Sequence, residues 1–321
     1  MADVPGSGDD GGEFLLSVGG IEADWVTQTL TAALGTSGAW LLRSIVGYHW
    51  RARCDIASRL LSSLAAPGEA SPRELWAIAD LQFKSWHVEA AELFSRLLDG
   101  VLAFAEGDDF FDRCVRVTEL GQLLKDLQDV GAERVAQALG YTGDAAAPSE
   151  AESVSGEELL RDAVAFTEDV AKAASEVCKL VRWRSTETGS GPILLRATRD
   201  LTNSYRHGTL VLYPSCAVPG WETELLAGET PPESTAGVLV YLGNAKRPNA
   251  DGGKKPKSDP QVRQWGWVVQ GTEETSHELD NLAGLGLLTA RLARAFMYRV
   301  LRPEDPLLWA YAESQGDVPS Y

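Results

Sequence analysis

The sequence lacks the short motifs that mark catalytic and cofactor sites. Its four cysteines form no CxxC pair, its four histidines have no partner at metal-ligand spacing, and it contains no GxSxG turn and no phosphate-binding glycine loop. No cofactor and no metal are therefore expected. No apolar run reaches the roughly 18 residues that cross a bilayer. The first residues, rich in acids and glycines, are unlike a secretory signal. The expected location is the cytoplasm, with a virion or an intracellular granule left open.

Basic residues are scarce, since 29 lysines and arginines face 46 acids and give a net charge of -17. Such a charge opposes binding of polyanions over the whole surface. One segment, 246–257, reverses the sign with five cations and a single acid, and Arg263 follows it. The five cations are Lys246, Arg247, Lys254, Lys255 and Lys257. Two interpretations stay open: a solvated loop, or a contact with nucleic acid or an acidic neighbouring subunit.

Apolar residues recur at helical spacing through most of the first 184 residues. The boundaries predicted from this pattern are a disordered arm at 1–13, a helical region at 14–141, a linker at 142–156 and a helix at 157–184. Helices are expected at 21–34 and from Trp40 to Leu64. The clearest pattern is an apolar stripe from Leu75 to Phe104 on one long helix.

The pattern changes in the region 190–302, where short runs of β-branched and aromatic residues alternate with Pro- and Gly-rich segments. Strands are predicted at Thr209–Tyr213, Gly237–Leu242 and Gln264–Gln270, with a fourth candidate at Ile193–Ala197. A last helix follows and ends at Arg302, and a tail is predicted at 303–321. The predicted fold class is α+β: a predominantly helical N-terminal region, then a small antiparallel β-region and a C-terminal helix.

Large apolar side chains on these elements are candidates for an interface. They are Leu75, Phe83, Trp86, Phe94, Trp265 and Trp267. Trp265 and Trp267 are two apart on a predicted strand, so their rings share a face and could pack in the core, meet a partner or stack on a base. The helical stripes likewise suit an internal bundle, a subunit contact or adsorption to an apolar surface.

Residues 40–105 resemble the helical segment of phasins, the proteins that coat polyester storage granules. The similar parts are the helix RARCDIASRLLSSLAA, the break SPREL and the helix WAIADLQFKSWHVEAAELFSRL. The β-rich second half and the many tryptophans depart from that family. The resemblance implies that the stripe Leu75–Phe104 lies on the granule surface.

The absence of active-site motifs and the abundance of amphipathic helix predict a non-enzymatic, self-assembling structural protein of the coat, shell or capsid kind. Its expected partner is itself, in a homo-oligomer, with nucleic acid as a candidate partner of segment 246–257. One alternative is the phasin-like granule protein. The other is an enzyme of unrecognised family that uses Cys216 and His207, which flank a predicted strand.

Overall fold

The computed structural model describes residues 23–47, 50–64, 73–116, 120–141, 155–181, 210–213, 235–245 and 262–314. The helices in these ranges are α1 (Ala23–Val46), α2 (Trp50–Leu64), α3 (Arg73–Ala105), α4 (Phe110–Val115), α5 (Leu120–Asp126), α6 (Ala132–Leu139), α7 (Gly156–Val181), α8 (Thr272–Leu301) and α9 (Leu308–Ser314). The strands are β1 (Leu210–Tyr213), β2 (Thr235–Ala245) and β3 (Val262–Gly271).

The predicted α+β class is wrong, because the protein is mostly helical. Of the residues whose side chains the structure describes, 87% lie in helices and none lies in a strand. The strands pair as an antiparallel backbone ladder in the order β1–β2–β3. All the buried side chains of the described core come from helices and the turns between them. β-propensity depends strongly on packing context, so short β-prone runs do not fix the class of a chain whose core is helical. The candidate strand Ile193–Ala197 lies outside the described residues.

The chain forms two compact units, and each draws on distant parts of the sequence. The first unit comprises described residues of Met1–Trp50, Glu92–Val177 and Leu285–Tyr321. Its centre is aromatic: the ring of Phe296 lies 5.3 Å from that of Phe104 and 5.0 Å from that of Phe110, centroid to centroid. Helix α7 contributes a largely apolar inner face on which Thr167 is also buried, its hydroxyl donating to the backbone oxygen of Val164. The buried apolar members of this face are Leu159, Ala163, Phe166, Val170, Ala174 and Val177. The predicted amphipathic pattern of this helix is thereby accounted for by an internal bundle.

The second unit comprises described residues of Arg51–Ala91 and Cys178–Gly284. Ala57 and Leu64 of α2 form one core cluster with Ala79 and Phe83 of α3, and the partly buried Trp86 and Leu279 pack against it. The strand ladder also belongs to this unit. Small and large apolar residues thus alternate across the contact between α2 and α3, as close packing of two helices requires.

Several boundaries differ from the sequence prediction. The single helix predicted from Trp40 to Leu64 is divided between α1, which extends to Val46, and α2, which begins at Trp50. Helix α1 does not end at Gly35 but continues through a kink there, where glycine holds φ 69° and ψ 166°, a conformation that costs other residues energy. The predicted tail contains α9, whose Trp309 is buried. Pro303 does end α8, as expected, but the chain folds again within a few residues because a large apolar side chain is available for burial.

Gly100 of α3 lets α4 pack closely against it. A Cβ at this position would collide with the Cys114 sulfur and come within 3.0 Å of two ring carbons of Phe110. We therefore expect Gly100→Ala to lower the free energy of unfolding by about 1–3 kcal/mol, the usual cost of overpacking a core. Urea unfolding followed by circular dichroism measures this.

Gly284 of α8 is the matched control. No heavy atom lies within 4 Å of a Cβ built there. Since alanine favours a helix over glycine by about 0.5–1 kcal/mol, Gly284→Ala should be neutral or stabilising. Equal effects of the two substitutions would contradict the close approach of α4 to Gly100.

Candidate interaction surface

The cationic segment 246–257 lies outside the described residues, as do Cys216 and His207. Arg263 belongs to β3, where its backbone pairs opposite Asn244 of β2. The β2–β3 register ends with Ala245 opposite Val262, so residues 246–261 connect two paired strand ends. The polyanion contact of segment 246–257 therefore stays a prediction.

Two of the predicted interface aromatics are interior residues. Phe83 and Phe94 are fully buried within their own chain, so in this fold neither side chain can contact a second copy of the protein. Trp86 is partly buried against the α2–α3 core, and the Arg53 guanidinium lies 5.6 Å from its ring centre. Leu75, Trp265 and Trp267 lie on α3 and β3. Helical spacing alone does not distinguish an internal stripe from an interface, and the burial of Phe83 and Phe94 favours the internal packing that the sequence analysis left open.

The phasin resemblance meets the same difficulty. From Ala79 onward the stripe expected on a granule surface is largely core: Phe83, Phe94, Leu97 and Val101 are fully buried. In this fold these four side chains are not accessible to a granule surface.

Other apolar side chains, which the sequence analysis did not single out, are exposed instead. Trp40, on α1 beyond the Gly35 kink, is 73% exposed. On α2 and α3 the exposed residues are Ile56, Leu60 and Ile78 at 57%, 38% and 48%, and we call these three the hairpin face. Single exposed aliphatic residues are ordinary, but a tryptophan with most of its surface in water is unusual. An alternative signal existed in the sequence: Ile56 and Leu60 are four apart on a helix whose other apolar face is formed by Ala57 and Leu64.

A charged and aromatic cluster fixes the C-terminal helix of the first unit. The Arg291 guanidinium carbon lies 4.9 Å from the ring centre of Phe166 and 5.6 Å from that of Trp309. Arg291 Nε donates to Glu313 Oε2 at 3.1 Å, and its Nη2 lies 3.0 Å from the same oxygen. Arg294 Nη1 is 3.9 Å from Glu313 Oε1. One carboxylate on α9 thus faces two guanidinium groups on α8, and one of these groups lies over the tilted ring pair of Phe166 and Trp309.

Burial favours the neutral form of Tyr141 and Cys114 in this unit, and of Cys54 in the second unit. Burial, reinforced by the Glu313 carboxylate, raises the pKa of Tyr141 well above its usual range. Burial likewise raises the pKa of the Cys114 thiol to about 12, with Asp99 adding to the effect. Because the thiolate is the reactive species, Cys114 is an inert core residue. Burial also raises the pKa of Cys54.

A groove of about 590 Å³ lies between the end of α3 and the start of α6. Carboxylates of Glu106, Asp129 and Glu133 line it, and Arg134 forms an ion pair with Glu106 across it. Three acids against one base make this groove unsuited to an anionic ligand.

The described residues hold no group of three or more side chains arranged for a metal ion. None of the helices in the described ranges has both the length and the apolar character needed to cross a membrane. Comparison of the chain with protein-family models, curated proteins and solved structures found no match. The likeness to phasins consequently stays a prediction from residues 40–105 alone.

Removing the Glu313 charge should loosen α9. We expect Glu313→Gln to lower the free energy of unfolding by about 2 kcal/mol, because it leaves two guanidinium groups in a partly buried site without their carboxylate. Glu304→Gln is the matched control: its side chain is 62% exposed, against 21% for Glu313, and it lies 3.9 Å from Arg302. Its loss should change stability by less than about 0.5 kcal/mol. Urea titration of both variants tests this. Equal losses of unfolding free energy would show that the Glu313 carboxylate does not stabilise the packing of α9 on α8.

Proposed function

We propose that this chain is a non-enzymatic, self-assembling structural protein, a homo-oligomer of the coat, shell or capsid-subunit kind. The observation that carries the proposal is Trp40, 73% exposed on a helix that is otherwise well packed on its inner side. Tryptophan is among the residues that contribute most to protein–protein contacts, since it buries a large apolar area at little cost in conformational entropy. A second copy that covered Trp40 would remove this surface from water.

The distribution of the remaining exposed apolar residues supports the same proposal. Besides the hairpin face, exposed valine and leucine side chains lie on three further helices of the chain: Val115 on α4, Val164 on α7 and Leu287 on α8. A closed ring needs two surfaces per subunit, and a shell needs more. Exposed apolar residues on several helices are consistent with more than one contact per subunit.

The cationic segment 246–257 gives the assembly a candidate cargo contact. We include in the proposal that its five cations bind a polyanion such as nucleic acid, since they stand against a body of net charge -17. A shell that is acidic elsewhere would hold such cargo only locally. This part of the proposal is supported by the sequence charge and by the place of the segment between β2 and β3.

Light scattering coupled to size-exclusion chromatography, with absorbance at 260 and 280 nm, tests the proposal. A particle many times the 34.6 kDa of one chain is the expected result. Excess absorbance at 260 nm within that particle supports the cargo contact. A chain that stays monomeric at every concentration and salt overturns the proposal. Partition of that monomer onto polyester particles would favour the granule protein instead.

Trp40→Ala should weaken assembly strongly. Truncating a central interface tryptophan typically costs 2 kcal/mol or more, which corresponds to about a thirtyfold rise in the dissociation constant. Asp169→Ala, an exposed substitution about 140° around α7 from Val164, serves as the control and should leave assembly unchanged. Concentration-dependent light scattering measures both. Unchanged assembly of the Trp40→Ala variant would show that this side chain lies outside the contacts.

A further inference from the structure

Helices α2 and α3 run antiparallel, and one side of the pair is open to solvent. Arg53, near the start of α2, pairs with Glu89 at 2.8 Å, whereas Leu64 at the end of α2 shares a core cluster with Ala79, earlier on α3. The contacts therefore run in opposite directions along the two helices. Helical periodicity then puts the Arg53–Glu89 pair on one side of the hairpin.

The hairpin face lies on that same side. Ile56 and Leu60 are one turn apart on α2, at angles displaced from the buried Ala57 toward Arg53. Ile78 is displaced from the buried Ala79 toward the same side of α3. These three exposed aliphatic side chains thus form one patch rather than three isolated residues, and scattered exposure does not explain it.

Two opposite charges border the patch. Asp55 and Arg59 are exposed and one turn apart, each next to a member of the hairpin face. A carboxylate and a guanidinium at this spacing often pair within a helix, yet these two make no ion pair with any residue in the described part of the chain. Both charges are available to a partner.

We infer that the hairpin face docks against the same face of a second copy, α2 against α2, around a two-fold axis that passes beside residues 57 and 58. The inference rests on the proposed self-assembly and names one of its contacts. With this axis, Ile56 of each copy contacts Leu60 of the other. Asp55 of each copy lies within about one residue's rise, 1.5 Å along the axis, of the level of Arg59 in the other.

Charge complementarity selects this partner and this orientation. The two-fold operation brings Asp55 to Arg59 twice, because an isologous contact uses the same surface on both subunits. A parallel two-fold arrangement would put the charged flanks of the two copies on opposite sides of the contact and would form no Asp55–Arg59 pair. A uniformly apolar or anionic surface offers no counterpart to an alternation of one acid and one base.

The experiment uses two variants, neither of which should form the contact with copies of itself. Asp55→Arg places arginine at both positions, and Arg59→Asp places aspartate at both, so either variant repels its own copies. Each should raise the dissociation constant of the contact about tenfold or more at low ionic strength. An equimolar mixture should recover it, because every pair across the axis is then of opposite sign. Light scattering measures mass against concentration, and circular dichroism checks folding.

Asp169→Arg, about 140° around α7 from Val164, controls for the change in net charge, and Ile56→Ser tests the apolar part independently. Recovery in the mixture with no effect of Asp169→Arg establishes the two-fold contact. Failure of the mixture to recover overturns it. Wild-type assembly that all the α2 variants leave intact also overturns it, while the proposed function stands. A wild-type chain that stays monomeric removes both.

Discussion

The first unit depends on one buried tryptophan near the end of the chain. Trp309 packs against Phe166 of α7 at 4.8 Å and against Tyr141, just after α6, at 6.2 Å between ring centres. The unit is assembled from three separate stretches of sequence, and this side chain joins the last stretch to the middle one. Burial of a side chain of this size contributes several kcal/mol, a large fraction of the net stability of a domain. The C-terminal helix, although short, is therefore part of the core.

The charges around Trp309 follow from its burial. Bringing α9 against α8 places Glu313 between Arg291 and Arg294, where solvent is partly excluded and each charge needs its partner. The same exclusion of solvent keeps the phenol of Tyr141 neutral, because an ionised phenolate would be both desolvated and repelled by Glu313. Packing sets the position of these groups, and the ion pairs make that packing specific.

Local sequence patterns predicted the helices well where periodicity and caps agreed. Ser155 accepts a hydrogen bond from the backbone N–H of Glu158 at 3.2 Å, as its capping pattern predicts, and α7 begins there. The same patterns could not tell which helical faces meet within the chain. Phe83 and Ile78 are both apolar and five apart on α3, which puts them about 140° apart around the helix, and Phe83 is core whereas Ile78 is exposed. Spacing separates the two faces, but which partner covers a face is a long-range property that spacing does not contain.

The predicted fold class and the predicted tail differ from the structure for related reasons. The α+β class was predicted from the composition of short β-prone runs, whereas the described core that stabilises the chain is helical. A tail was predicted at 303–321, but this range contains α9, a helix of seven residues that would be too short to be stable alone. Tertiary burial of Trp309 overrides that local instability. In both cases the deciding quantity was burial against distant residues.

Acidity constrains how such a chain could associate with itself. A net charge of -17 on every copy repels other copies at a distance, most strongly at low salt, so nonspecific apolar contact is opposed. A productive contact needs a surface where the local charge is balanced. The hairpin face, with Asp55 and Arg59 beside its aliphatic side chains, has that balance, whereas the sequence of α7 holds six acids against three bases. Long-range repulsion combined with one locally neutral apolar face would favour a defined geometry of assembly over aggregation.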